Sequence, residues 1–136
     1  SSYDYVVLLQ PTSPLRQAHH IDAAIEQLHR HGADAVVSVC EMEHSPLWSN
    51  TLPENESMEG FLDAALCHRR AQDLPTYYRL NGAIYICKIE RLLQEKRVII
   101  PNNIVAFKMS REASVDIDDA LDFEFAAYLL QRSAGT

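Results

Sequence analysis

Tyr5-Val6-Val7-Leu8-Leu9 is an unbroken apolar run that stops abruptly at Gln10-Pro11-Thr12-Ser13-Pro14. A run without polar alternation suits a parallel strand covered on both faces. As an opening element it is unusual, and it reads as the middle of a sheet whose earlier strands precede it. After Pro14, Ile21, Ala24, Ile25 and Leu28 recur with helical spacing, and Gly32 supplies a stop. Ala35-Val36-Val37-Ser38-Val39 is the next strand. Strand, helix, strand in that order is a βαβ unit. The expectation is an α/β fold with a parallel, helix-flanked sheet and ligands at the C-terminal ends of its strands.

From Glu41 to Thr76 the pattern changes. Pro46, Pro53 and Pro75 interrupt it, polar residues cluster at Glu54 to Ser57, and the spacing predicts short strands and loops. Order returns with a strand at Gly82-Ala83-Ile84-Tyr85-Ile86-Cys87, a short helix over 89–94 and a strand over 104–109. A final helix over 120–131 carries Leu121, Phe125, Tyr128 and Leu129 as its apolar stripe.

The 136 residues include 19 acids against 12 bases, a net charge of -7, with the bases scattered. Nucleic acid is excluded as a partner by the lack of a cationic footprint, whereas a small anion remains possible wherever a few Arg or Lys converge. Three well-separated cysteines read as reduced thiols. No apolar stretch is long enough to span a bilayer and no signal segment opens the chain, so the expectation is a soluble cytoplasmic protein without a membrane partner. The six histidines show no ligand spacing and no nucleophile elbow is present, which disfavours a zinc site and a hydrolase.

Three clusters offer chemistry. Ser114-Val115-Asp116-Ile117-Asp118-Asp119 follows a strand and precedes a helix. Alternation along an extended segment puts Asp116 and Asp118 on one side, where two carboxylates suit a magnesium ion that completes its shell with phosphates and water. The competing use of such acids is helix capping, for which Asp119 is the best placed. Gln10 to Arg16 sets an amide, hydroxyls including Ser13, and a guanidinium at a strand end. Arg16 suits bidentate contact with a phosphate or carboxylate, although a strand-to-helix turn with Ser13 near a cap is the commoner use. Arg69 and Arg70, then Tyr77, Arg79 and Asn81-Gly82, suit an anionic sugar acid or form a solvated loop and turn.

Leu8-Leu9-Gln10-Pro11-Thr12-Ser13-Pro14-Leu15-Arg16, Gln72-Asp73-Leu74-Pro75, Asn81-Gly82-Ala83-Ile84-Tyr85 and Ser114-Val115-Asp116-Ile117-Asp118, in this order and at these separations, closely resemble the acylneuraminate cytidylyltransferases. The resemblance implies a Rossmann-like nucleotidyltransferase sheet with helices on both faces, forming a single domain over 1–136. Residues 41–80 would be an inserted dimerisation or lid segment of a homodimer, presenting Arg70 to the partner's sugar carboxylate. It implies transfer of CMP from CTP to the anomeric hydroxyl of N-acetylneuraminic acid or a related nonulosonic acid, with pyrophosphate released. Asp116 and Asp118 would hold Mg2+. Gln10, Asn81, Gly82 and Tyr85 would line the sugar site, with Ser13 and Arg16 as supports of the crevice.

Some features depart from the family. Its basic, glycine-containing CTP loop has no counterpart in these residues and belongs before Ser1, so the expectation is that the 136 residues alone do not turn over. Trp48 stands where some sialate enzymes place a lysine, Ile99-Ile100 occupies a site that can be aromatic, and Ala71 is an extra residue that blurs whether Arg69 or Arg70 matches. Two other readings stay open: a cytidylyltransferase acting on the eight-carbon acid KDO, and a non-catalytic sugar-acid-binding or dimerisation module.

Overall fold

The apolar residues spaced along 21–28 form one face of helix α1, Ala18–Arg30, in which Ala24 and Leu28 are buried. A computed structural model describes residues 4–134, with side chains to residue 133. The helix opens at Gln17, whose N–H donates to Nδ1 of His20 at 2.9 Å. It closes where Gly32 turns left-handed, φ +58°, and Ala33 N–H reaches back to the Leu28 carbonyl at 3.0 Å. These bonds serve helix-end groups that have no partner within the helix.

Two compact units divide the chain: residues up to Cys40 together with those from Leu80 onward, and Glu41–Arg79. The first is built on a four-stranded sheet of β1 (Tyr5–Leu8), β2 (Ala35–Glu41), β3 (Tyr78–Lys88) and β4 (Ile104–Lys108), in the order β1-β3-β2-β4. β2 and β4 run parallel, with Ala35 beside Ile104 and Val39 beside Lys108. β1 and β3 run antiparallel, with Tyr5 opposite Lys88 and Leu8 opposite Tyr85. The sheet is therefore mixed rather than parallel throughout, and β3 stands between the two strands of the expected βαβ unit. β3 buries Ala83, Ile84, Ile86 and Cys87 to 1% exposure or less and takes a central place, while β1 lies at the edge with Val6, Val7 and Leu8 36–46% exposed. An apolar run shows that a strand forms without showing which neighbours it has.

Alternation along the strands sorts the core into two clusters. Val36, Ile84 and Ile86 pack with Ala24 and Leu28 of α1 and with Met109. Ala35 and Cys87 pack with Ile100 and with Leu92 of helix α2, Ile89–Glu95. At the end of the sheet, Asp34 accepts from Lys88 Nζ at 3.1 Å and Arg91 Nη1 at 2.7 Å, its side chain 17% exposed. Lys88 N–H also donates to the Asp34 carbonyl, and Asp34 N–H to that of Asn103. This one residue thus joins the start of β2 to β3, α2 and the approach to β4.

Helix α3, Ala120–Ala134, is capped as expected by Asp119, whose Oδ1 accepts from Asp122 N–H at 2.9 Å. Its packing face differs from the expected stripe. Ala126 and Leu129 are buried, while Leu121, Phe125 and Tyr128 are 72%, 50% and 58% exposed. Apolar residues surround most of this helix, so their spacing admits more than one phase and does not select the face. No helix among the described residues is long and apolar enough to cross a membrane.

In the second unit no strand forms within 42–77. Its regular structure is three short turns of 3-10 helix, Pro46–Trp48, Ala64–Leu66 and Ala71–Asp73. Ser45 and Asp63 cap the first two through their side-chain oxygens, and Arg79 pairs with Glu43 at 3.3 Å. No residue of Glu41–Arg79 is buried, so this unit has no dry core of its own. Cys40 and Cys87 are buried free thiols and Cys67 is an exposed one.

The Lys88, Asn103 and Arg91 side chains hold the Asp34 carboxyl below its ordinary range, against the opposing effect of burial. A folded-state pKa below the unfolded value of about 3.9 contributes stability in full above that value and loses it as pH falls through the folded pKa. Asp34→Asn is therefore expected to lower stability at pH 7, with the gap to the unsubstituted protein closing toward pH 3. Urea denaturation at the two pH values checks this, and an equal gap at both rejects the ionic role.

Candidate functional site

Three segments of the first unit meet around Gly82: the turn after β1, the bend within β3, and the loop between β4 and α3. The turn is tight, with Ser13 N–H donating to the Gln10 carbonyl at 3.3 Å and Arg16 N–H to that of Ser13 at 3.4 Å. Arg16 Nη1 then donates to the carbonyls of Gln10 at 2.8 Å and Ala83 at 2.9 Å. The guanidinium thus stitches the turn to β3, which is the supporting use weighed for it above.

The same stitch holds the Gln10 backbone, and its side-chain amide lies over the bend. Gly82 has φ +72°, and a Cβ there would lie 2.4 Å from Gln10 Oε1. Glycine serves twice, by adopting a left-handed backbone and by leaving room for the amide. Tyr85, half-buried, stands three residues along the same strand.

Asn81 faces inward and is 3% exposed. Its Nδ2 donates to Ser114 Oγ at 2.9 Å and Met109 Sδ at 3.4 Å, and its Oδ1 accepts from Ser38 Oγ at 2.6 Å and Ala83 N–H at 3.1 Å. Both donors and both acceptor sites are used. The resemblance implied a sugar contact for Asn81, whereas these bonds give its amide an interior one. Ser38 was not singled out from sequence, and Ser114 was named only as the first residue of the aspartate segment. The available signal was a lone hydroxyl in the apolar run Ala35-Val36-Val37-Ser38-Val39, where a buried hydroxyl needs a partner.

Asp116 and Asp118 lie in the loop beyond Ser114, which is pinned to the turn by Ile117 N–H donating to the Thr12 carbonyl at 2.9 Å. Residues 115–118 form no strand. Asp116 is half-buried and Asp118 exposed, so simple alternation does not describe the pair. Asp118 N–H donates to Asp122 Oδ2 at 3.0 Å. Asp116 Oδ1 and Ser13 Oγ are buried with no hydrogen-bond partner, although buried polar atoms are nearly always paired. No cluster of three or more His, Cys, Asp or Glu able to hold a metal ion forms among the described residues. Arg70 belongs to the other unit, exposed, with its N–H donating to Asp73 Oδ2 at 3.4 Å.

Gly82→Ala is expected to destabilise the protein by about 1–2 kcal/mol through the left-handed backbone alone, and to displace Gln10. Denaturation midpoints measure the first effect. A loss no larger than that of an ordinary surface substitution would show that the bend relaxes without cost.

No family model matches the chain. An N-acylneuraminate cytidylyltransferase of Streptococcus agalactiae is 40% identical over 117 residues, covering 86% of this chain and 28% of that protein. The CMP-N,N'-diacetyllegionaminic acid synthase of Legionella pneumophila is 30% identical over 135 residues, covering 95% of this chain and 55% of that protein. An N-acylneuraminate cytidylyltransferase of Escherichia coli is 32% identical over 136 residues, covering 97% of this chain and 31% of that protein. The chain thus spans between a quarter and just over half the length of these relatives, yet almost all of it aligns with them. On likeness of this extent, the chain belongs to the N-acylneuraminate cytidylyltransferase family.

Proposed function

We propose that this chain carries part of the active site of a cytidylyltransferase. The reaction transfers CMP from CTP to the anomeric hydroxyl of N-acetylneuraminic acid or a related nonulosonic acid. The anomeric hydroxyl gives up its proton to solvent and its oxygen bonds to the α-phosphorus as the bond from that phosphorus to the bridging oxygen breaks, so that pyrophosphate leaves. The observation that carries this reading is the partnerless buried oxygen of Asp116, on a loop tied to the Gln10–Arg16 turn.

A buried acceptor without a donor costs about 1–3 kcal/mol, and a cation recovers that cost. Two nearby carboxylates without a third side-chain ligand fit magnesium, which commonly takes one or two carboxylates and fills its remaining positions with substrate phosphates and water. Asp116 and Asp118 would hold it. When bound, the ion neutralises charge on the phosphates. The chain's own residues do the positioning. In this reading the Gln10 amide, whose backbone Arg16 holds and which occupies the space left at Gly82, and the Tyr85 hydroxyl orient the sugar acid. Asn81 acts from beneath them through its interior bonds. Such placement supplies much of the catalysis in a reaction between two bound substrates.

In the same reading the sheet is that of a Rossmann-like nucleotidyltransferase, and residues 41–80 form a dimerisation segment that offers Arg70 to the sugar carboxylate bound by a partner subunit. The absence of any buried residue in Glu41–Arg79 supports this, because a segment without a core is ordered most cheaply against another surface. CTP is a cytoplasmic nucleotide, and the reading places the enzyme in that compartment.

Pyrophosphate release by the full-length polypeptide with CTP, N-acetylneuraminic acid and Mg2+ tests the proposal. Asp116→Ala and Asp118→Ala are each expected to lower kcat about 100-fold or more, the scale for removing a group that stabilises transition-state charge. Unchanged release in both variants would sink the metal assignment. Arg70→Ala is expected to raise KM for the sugar acid about tenfold, the equivalent of about 1.4 kcal/mol, while leaving KM for CTP near its original value. Equal increases for both substrates would remove Arg70 from the sugar site.

A further inference from the structure

We infer that Ser114, Asn81 and Ser38 form a positioning chain that sets where the Asp116 carboxylate meets a divalent cation. The inference rests on the proposed function and deepens it. Ser114 is two residues before Asp116 and 1% exposed. Its hydroxyl donates to the Ser110 carbonyl at 2.5 Å and so is left to accept from Asn81 Nδ2 at 2.9 Å. Ser38 Oγ donates to Asn81 Oδ1 at 2.6 Å and accepts from Ile84 N–H at 2.8 Å. The bonds therefore run in one direction from Ser38 on β2, through Asn81 on β3, to Ser110 in the loop after β4.

On the other side of Asp116, Ile117 N–H is held by the Thr12 carbonyl at 2.9 Å. The aspartate thus sits between two anchors, one reaching the central strands and one reaching the turn after β1. Partners outside the immediate ligands of a metal usually shift its affinity 10–100-fold when removed. None of these three side chains needs to touch the cation or the substrates for this effect.

The test is Mn2+ binding, followed by electron paramagnetic resonance, to the full-length polypeptide in the presence of CTP, beside pyrophosphate release across a Mg2+ titration. Ser114→Ala is expected to weaken Mn2+ binding about tenfold and to raise the half-saturating Mg2+ by a similar factor. Ser114→Thr, which keeps the hydroxyl, is expected to restore most of both. Ser38→Ala, which leaves the Ser114–Ser110 bond intact, should show a smaller change in the same direction, and it carries the test if Ser114→Ala does not fold. Unchanged Mn2+ affinity in a folded Ser114→Ala, or in Ser38→Ala where only that variant folds, overturns the inference while the proposed function stands. An unsubstituted protein that neither binds Mn2+ nor releases pyrophosphate overturns both.

Discussion

The buried amide of Asn81 is the constraint on which the rest of the site depends. Four groups converge on it from β2, β3 and the loop beyond β4, and an amide has just two donors and two acceptor sites to offer. Leaving a buried N–H or hydroxyl among these groups unpaired would cost about 1–3 kcal/mol, whereas the Met109 thioether is only a weak acceptor, so the arrangement favours one relative placement of the three segments. Gly82 follows directly from it. With Asn81 turned inward, the next residue must carry the strand through a left-handed bend, and the space that glycine leaves is where the Gln10 amide rests.

Apolar packing alone would not deliver that precision. The core around Leu28, Val36, Ile84 and Ile86 supplies most of the free energy, but hydrophobic burial is non-directional. Several surfaces also remain uncovered: the edge strand β1 with Val6, Val7 and Leu8, and the outer side of α3 with Leu121, Phe123 and Phe125. An apolar strand with an open edge is a template for further pairing, and large contiguous apolar patches on a surface mark places of association. Polar bonds fix the site within a framework whose apolar surface is only partly used.

Much of this was legible before any coordinates. Helical spacing at Ile21, Ala24, Ile25 and Leu28, the stop at Gly32 and the strands around Val37, Ile84 and Val105 all correspond to observed elements. So does the cap at Asp119, because each depends on local chemistry. The order of strands was not legible, since burial of β3 and exposure of β1 are decided by packing and both read as apolar runs. The phase of α3 failed for a related reason: Phe123, Phe125, Tyr128 and Leu130 leave no single polar face to exclude. Gln10, Arg16 and Asp116 stood out as candidates by residue type. Ser38 did not, because one hydroxyl in an apolar strand is informative only once its partner 43 positions away is known.

The proposed function asks an acidic chain to accept anionic ligands. A net charge of -7 opposes the approach of a triphosphate or a sugar acid only over distances comparable to the screening length, about 8 Å at physiological ionic strength. Within that distance local groups decide. Arg16, the cation nearest the turn, already donates to two carbonyls, so its guanidinium serves geometry as much as charge. Under the proposed function, an acidic pair that recruits a divalent cation would turn local repulsion into a means of holding phosphate, since the ion would offset the two carboxylates and still have coordination positions for phosphate oxygens. The acidity of the loop is thus compatible with the proposed chemistry, and the hydrogen bonds of Ser114 and Ile117 on either side of Asp116 tie that loop to the strands and to the turn after β1.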